Sequence, residues 1–156
     1  LEETVGKLLL EKGVTISLAE SCTGGLLAQR ITDVPGSSRY FMGGIVAYDN
    51  TIKTKLLNVS PKTLEHYGAV SKETAVEMAQ GIRRLMGSIL GLAITGIAGP
   101  SGGSPEKPLG LVYIALAAPD GTCCRKFKKF PGMRSAIRQG AANAGLNMIR
   151  LYLLAQ

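Results

Sequence analysis

Val14-Thr15-Ile16-Ser17-Leu18-Ala19-Glu20-Ser21-Cys22-Thr23-Gly24-Gly25-Leu26-Leu27-Ala28-Gln29-Arg30-Ile31 changes its period in the middle. Val14 to Ala19 alternates with period two, as a buried strand does, while Leu26 to Ile31 has helical spacing and the helix is expected from about Thr23 to Thr32. Between them lies a carboxylate, two hydroxyls, a thiol and two glycines, the composition of a site rather than of a mere connection. A strand-to-helix turn carries unpaired amides and the positive end of the helix dipole, so it favours negative charge.

The same alternation of strands and helices continues on both sides. Leu1 to Glu11 reads as an amphipathic helix stopped by Lys12-Gly13. After a Pro35-Gly36-Ser37-Ser38 turn, Arg39 to Tyr48 reads as a strand interrupted by Gly43-Gly44, where a bulge or a close ligand approach is expected. Asp49-Asn50 caps a helix through Leu57, Ser60-Pro61 opens another, and Ser71 begins a longer one to about Met86. Ile89 to Thr95 is a continuous apolar run of the kind buried on both faces. The glycine- and proline-rich Gly96 to Pro108 follows, long for a plain connection. Leu109 to Ala118 and Thr122 to Phe130, joined by Pro119-Asp120-Gly121, form a hairpin, and Met133 to Leu154 is a long helix. These elements predict one α/β domain over residues 1–156, a three-layer α/β/α sandwich with a mixed, mostly parallel sheet of about five strands.

Composition sets limits on function. The 156 residues are 46% hydrophobic but only 5% aromatic, without Trp, so the core rests on aliphatic side chains. A formal charge of +7 is compatible with an anionic partner, either nucleic acid or a phosphate-bearing small molecule. Three cysteines, two of them adjacent at Cys123 and Cys124, argue against a secreted disulfide framework. His66 is the only histidine and Cys-x-x-Cys is absent, so no metal site is expected. No stretch reaches the roughly 18 apolar residues of a membrane helix, and a cytoplasmic protein without membrane contact is expected. The chain begins in helical pattern without Met, as a piece of a longer protein would.

Three polar, glycine-containing or lysine-containing loops follow predicted strands: Glu20 to Gly25, Tyr48 to Lys53, and Thr95 to Gly103. In an open α/β sheet such loops meet at one edge, which predicts a shared ligand crevice. Ser21 is the candidate nucleophile, with Cys22 as alternative. Ser21 and Thr23 also read as ordinary helix N-caps, a reading that the buried carboxylate expected at Glu20 weakens. His66, on its own short helix, is a poor candidate base. Lys53, made neutral by burial, is the better one, with Tyr48 to relay a proton or hold the lysine. Thr95-Gly96-Ile97-Ala98-Gly99-Pro100 lacks the residues of the known phosphate fingerprints, yet its glycines suit an amide nest as well as a flexible loop. Arg134 and Arg138, one turn apart at a helix start, suit a phosphate or a solvated face. Arg125 to Phe130 alternates basic and aromatic residues, as in nucleic-acid binding, but lysines also guard edge strands.

Taken in order, Glu20-Ser21-Cys22-Thr23-Gly24-Gly25, Pro35-Gly36-Ser37-Ser38, Gly43-Gly44 through Tyr48-Asp49-Asn50 to Lys53, Gly68-Ala69-Val70-Ser71, Thr95 to Pro100 and Gly132-Met133-Arg134 resemble the CinA C-terminal domain family. The resemblance implies an α/β/α amidohydrolase, usually dimeric, with no metal or other cofactor. Its implied reaction converts nicotinamide mononucleotide to nicotinic acid mononucleotide and ammonia. On the matching motifs it implies Ser21 as nucleophile, Lys53 and Tyr48 for proton transfer, and Ser38 with loop amides for the oxyanion. Glu20, Thr23, Gly24, Gly25, Thr95, Gly96, Gly99, Arg134 and Arg138 would shape or bind the nucleotide. Asp49 stands where many relatives have Ser, and Lys55 lies two residues from Lys53. The competing expectation is a non-enzymatic nucleotide- or nucleic-acid-binding module.

Overall fold

Glu20, the last residue of the first strand, pairs with Val46 on one side and Ile94 on the other, so three strands end at one edge. The computed structural model, which describes all of residues 1–156, has a five-stranded sheet of order β2-β1-β3-β4-β5. Its strands are β1 (Ile16–Glu20), β2 (Phe41–Val46), β3 (Leu90–Gly96), β4 (Val112–Ala118) and β5 (Gly121–Phe127). β1, β2 and β3 are parallel; β4 is antiparallel to β3, and β5 antiparallel to β4. The sheet is therefore mixed and mostly parallel, as expected.

Helices α1 (Glu2–Lys12), α2 (Leu26–Thr32) and α6 (Arg134–Leu154) cover one face. α3 (Asn50–Leu57), α4 (Pro61–Tyr67) and α5 (Lys72–Met86) lie on the other side. The two faces differ in depth. On the first, Leu90, Leu92 and Ile94 of β3 join Ile16, Leu18, Val112, Ile114 and Leu116 in a core of large side chains. On the second, Gly91, Ala93, Ala115 and Ala117 keep the sheet shallow, so α5 lies almost on the backbone. A Cβ on Gly91 would collide with the Ala79 carbonyl, and one on Gly81 with the Leu57 carbonyl at the end of α3. That clamp between α3 and α5 fixes the helix carrying Lys53.

Boundaries shift where backbone chemistry overrides pattern. α2 begins at Leu26 rather than Thr23, because Gly24 (φ 59°) and Gly25 (φ 94°) adopt left-handed conformations that end any helical path from Ser21. The expected irregularity in the second strand is a bulge: pairing jumps from Ile16–Phe41 to Ser17–Gly43 and leaves Met42 as the extra residue. β4 begins at Val112 because Leu109 to Leu111 fold back on Ile97, whose amide donates to the Leu111 carbonyl while Gly110 donates to the Ile97 carbonyl.

Candidate active site

Glu20, not a hydroxyl, caps the site helix. Its Oε2 accepts from the amides of Gly25 (3.1 Å) and Leu27 (3.1 Å), and its Oε1 from Ala28 (2.8 Å). These bonds satisfy three of the donors that a helix leaves open at its start and place a buried carboxylate at the positive end of the dipole. The expectation that Glu20 binds substrate is corrected: its oxygens are spent on the backbone. The capping reading of Ser21 is corrected with it, since no serine or threonine side chain caps α2. Charge-assisted bonds are worth about 1.5–3 kcal/mol each but share one group, so Glu20→Ala is expected to lower stability by roughly 2–4 kcal/mol and Glu20→Gln by less. Thermal melts of the two variants, with unchanged midpoints as the contrary outcome, check this.

With the cap supplied from the strand, Ser21 is free. Its amide donates to the Ile94 carbonyl at 2.9 Å, fixing the backbone, and its Oγ faces Lys53 Nζ at 3.3 Å. Lys53 is only 1% exposed and has no carboxylate partner. Its Nζ donates to the carbonyls of Ala47 (2.7 Å) and Tyr48 (3.2 Å). Burial pulls the Lys53 ammonium below the usual lysine range, only partly opposed by Asp49. Lys53 Nζ is also placed to donate to Ser21 Oγ, a contact that would reverse, with the hydroxyl donating to the amine lone pair, once Lys53 loses its proton. Asp49 itself caps α3 through the Thr51 amide at 2.8 Å, which sets the turn that delivers Lys53. Lys55 is exposed and lines an open groove of about 440 Å³ between α3 and α4, away from Ser21.

A pocket of about 190 Å³ opens over this pair, lined by Ser21, Cys22, Tyr48, Lys53, Ala69, Val70, Thr95, Gly96, Ala98 and Arg134. All three predicted loops therefore converge. The amides of Cys22 and Thr23 donate no hydrogen bond within the chain, so the turn that carries Ser21 holds two unused backbone donors. Burial pushes the Cys22 thiol up to about 12, which leaves it a protonated, inert neighbour. Tyr48 holds Lys53 by its carbonyl, while its exposed hydroxyl is 3.1 Å from Arg134 Nη2 at the rim. Arg134 also donates to the Gly99 carbonyl at 2.6 Å, closing the loop after β3 against α6.

Other expected site residues fall outside. Ser38 is exposed and precedes β2, at the edge where Phe41 pairs with Ile16, the end of the sheet opposite Ser21. Ser38 therefore does not line the pocket of its own chain, contrary to the expectation that it stands beside Ser21. Arg138 is spent on the carbonyls of Cys22 (3.2 Å) and Thr23 (2.8 Å), and so pins the turn from outside. The Thr23 side chain is fully buried, its hydroxyl without a partner, and it does not reach the pocket. Gly24 and Gly25 shape the turn without lining it. Thr95 Oγ1 donates to the Ala69 carbonyl at 2.7 Å and so holds one wall.

That wall, Ala69-Val70, was not among the residues expected from the strand-end loops. It lies between two helices, where the crevice rule does not look; its signals in the sequence are the Ser71 cap of α5 and the place of Gly68 to Ser71 among the motifs of the family resemblance. The basic-aromatic stretch is also structural: Phe127 and Phe130 stack at 5.0 Å against the core, and Lys126 lies over the Tyr113 ring. His66 is exposed on α4, outside the pocket. The three cysteines are free, no group of His, Cys, Asp and Glu side chains is placed to hold a metal ion, and no helix is long and apolar enough to cross a membrane.

Comparison with known proteins identifies a family for the chain. The family model of the CinA C-terminal domain matches residues 1–153. A protein of Desulforudis audaxviator that carries the name competence-damage inducible protein is 59% identical over 152 residues, which are 97% of this chain and 37% of that protein. The chain thus spans about 37% of the length of such relatives. Among solved structures, the competence/damage inducible protein CihA of Agrobacterium tumefaciens is 39% identical with a TM-score of 0.91, covering 99% of this chain and 95% of its own. A CinA superfamily protein of Klebsiella pneumoniae is 29% identical with a TM-score of 0.95, covering 99% and 96%. With residues 1–153 matched by the family model, the protein belongs to the CinA C-terminal domain family.

Proposed function

We propose that this domain is a metal-independent amidohydrolase that converts nicotinamide mononucleotide to nicotinic acid mononucleotide and ammonia. The observation that carries the reading is a buried lysine with no counter-ion, 3.3 Å from a serine hydroxyl whose turn offers two unused amides. Neutral Lys53 takes the proton from Ser21 Oγ as the oxygen bonds to the carboxamide carbon. The negative charge that develops on the carboxamide oxygen is met by the Cys22 and Thr23 amides, in place before the reaction begins. Collapse breaks the carbon–nitrogen bond, and the Lys53 proton goes to the departing nitrogen, which leaves as ammonia. Water, deprotonated by Lys53 in turn, then releases the acid and restores Ser21.

Pocket size supports a single ring at the reacting end. About 190 Å³ is the space of roughly six waters at about 30 Å³ each. A pyridine ring with its carboxamide fits; the ribose and phosphate must extend past the rim. Ammonia release from nicotinamide mononucleotide by the purified, folded protein in EDTA tests the reading. Turnover is expected to persist in the chelator, and no ammonia from this substrate would overturn it. A panel of other pyridine amides ranks substrate preference in the same assay.

A further inference from the structure

Arg138 is a cation without a carboxylate. It is half-buried on α6, one turn after Arg134, and no acidic side chain lies within ion-pair distance of it. Its Nε donates instead to the Cys22 carbonyl at 3.2 Å, and its Nη2 to the Thr23 carbonyl at 2.8 Å. Those carbonyls belong to consecutive peptide units of the turn that carries Ser21. A Cβ on Gly24 would meet Arg138 Nη2 at 3.3 Å, so the guanidinium lies close against the backbone of the turn.

The other side of one of these peptide units is open. Of the amides from Ser21 to Ala28, those of Cys22 and Thr23 alone donate no hydrogen bond within the chain, although both residues are buried. Buried backbone donors are nearly always paired, so an open pair calls for an oxygen from outside the chain. The Thr23 N–H shares a planar trans peptide with the Cys22 carbonyl and points the opposite way from it. Arg138 thus holds the back of the unit whose front carries a free donor. A guanidinium bonded to the carbonyl fixes the tilt of the plane and draws electron density from the amide, which strengthens its N–H as a donor. The charge also reaches the pocket. Burial pushes the thiol of Cys22, a pocket-lining residue, upward, and the positive charge of Arg138 works against that push. Glu20 fastens the helix that follows the turn, while Arg138 fastens the two peptides inside it.

We infer that Arg138 is a positioning residue for an oxyanion: it holds the Cys22–Thr23 peptide so that the Thr23 N–H, together with the Cys22 N–H, meets the negative oxygen formed when Ser21 adds to an amide carbon. The inference rests on the proposed amidase reading for its chemistry, and one arm of its test does not involve turnover. Arg138→Ala is expected to lower kcat for nicotinamide mononucleotide about tenfold to a hundredfold, less than the roughly 10²–10³-fold of removing a donor outright, with KM within about twofold. Guanidinium ion at low, non-denaturing concentration should restore part of the lost kcat. Arg138→Lys, which keeps the charge and one donor, should lose less than Arg138→Ala, and Gln139→Ala, at the exposed next position, should leave both constants alone. A raised KM at unchanged kcat would make Arg138 a substrate ligand and overturn the inference, as would a fall in kcat that neither guanidinium nor lysine relieves. The second arm reads backbone amides in nitrogen–proton NMR spectra of the free protein. Arg138→Ala should shift the Thr23 and Gly24 nitrogens, which follow the two released carbonyls, more than the Cys22 nitrogen, and guanidinium should reverse the shift. If the wild-type protein releases no ammonia, the amidase reading fails by itself and the spectra decide, with an unmoved Thr23 nitrogen as the refuting result. Should Arg138→Ala not fold, Arg138→Lys carries both arms, and wild-type kcat with an unmoved Thr23 nitrogen would refute the inference.

Discussion

Ser21→Ala is expected to reduce amide turnover about 10⁴-fold or more while leaving the protein folded and able to bind substrate. The size follows from the loss of the covalent route, because Lys53 then has no hydroxyl to deprotonate within reach. The retained fold follows from the cap: Glu20 holds the start of α2, so removing the serine hydroxyl takes no partner from the helix. A true serine cap would cost about 1 kcal/mol on truncation, or about 2–4 °C in a domain of this size. The thermal midpoint of Ser21→Ala is instead expected to stay within about 2 °C of wild type. Steady-state ammonia release and a thermal melt check both halves. Unchanged turnover would move the nucleophile, with Cys22 the first suspect. That outcome would need a thiol pushed up to about 12 to react through a thiolate present in about one molecule in 10⁵ at neutral pH.

What the sequence showed and what it hid divide along a physical line. Elements set by local pattern were legible: the Val14-to-Ile31 unit, the doubly buried Ile89 run and the Pro119-Asp120-Gly121 hairpin became β1–α2, β3 and β4–β5 with boundary shifts of a few residues. Convergence of the three strand-end loops was legible too, because parallel strands in register must end at one edge. Partner choice was not. Glu20 reaches amides five, seven and eight residues ahead, outside the local spacing by which caps are recognised. Arg134 and Arg138 read by spacing as suited to a phosphate or a solvated face, whereas their positions on α6 take them to loop carbonyls 35 and 116 residues away in sequence, with Arg134 also at the wall of the Ser21 pocket. The place of Ser38 was not legible either, because a motif gives the residue without the end of the sheet on which it falls. For a strand-end rule, a residue before a parallel strand lies on the wrong edge, a test that the sequence alone permits once the strand order is known.

Lys53→Met is expected to lower turnover by about 10²–10⁴-fold and, at the same time, to change how stability depends on pH. In the folded protein burial disfavours the Lys53 ammonium, so the group loses its proton below the ordinary lysine value of 10.5, which still applies to the unfolded chain. Between those two values the unfolded chain binds the extra proton, so wild-type stability rises with pH across that window, and the penalty of the buried charge is complete below it. Lys53→Met lacks this dependence. It loses the bonds to the Ala47 and Tyr48 carbonyls at every pH, a cost of roughly 1–3 kcal/mol, against the relief of the buried charge that it enjoys only at lower pH. The stability difference should therefore move in the wild type's favour as pH rises toward 10.5, as read from denaturant unfolding at a series of pH values. A difference that stays flat would mean that folding leaves the Lys53 proton undisturbed, and the proposed base with it. Lys53→Arg completes the distinction: a guanidinium keeps the charge but never becomes neutral, so it is expected to restore no turnover at any pH, whereas wild-type kcat/KM climbs as Lys53 loses its proton.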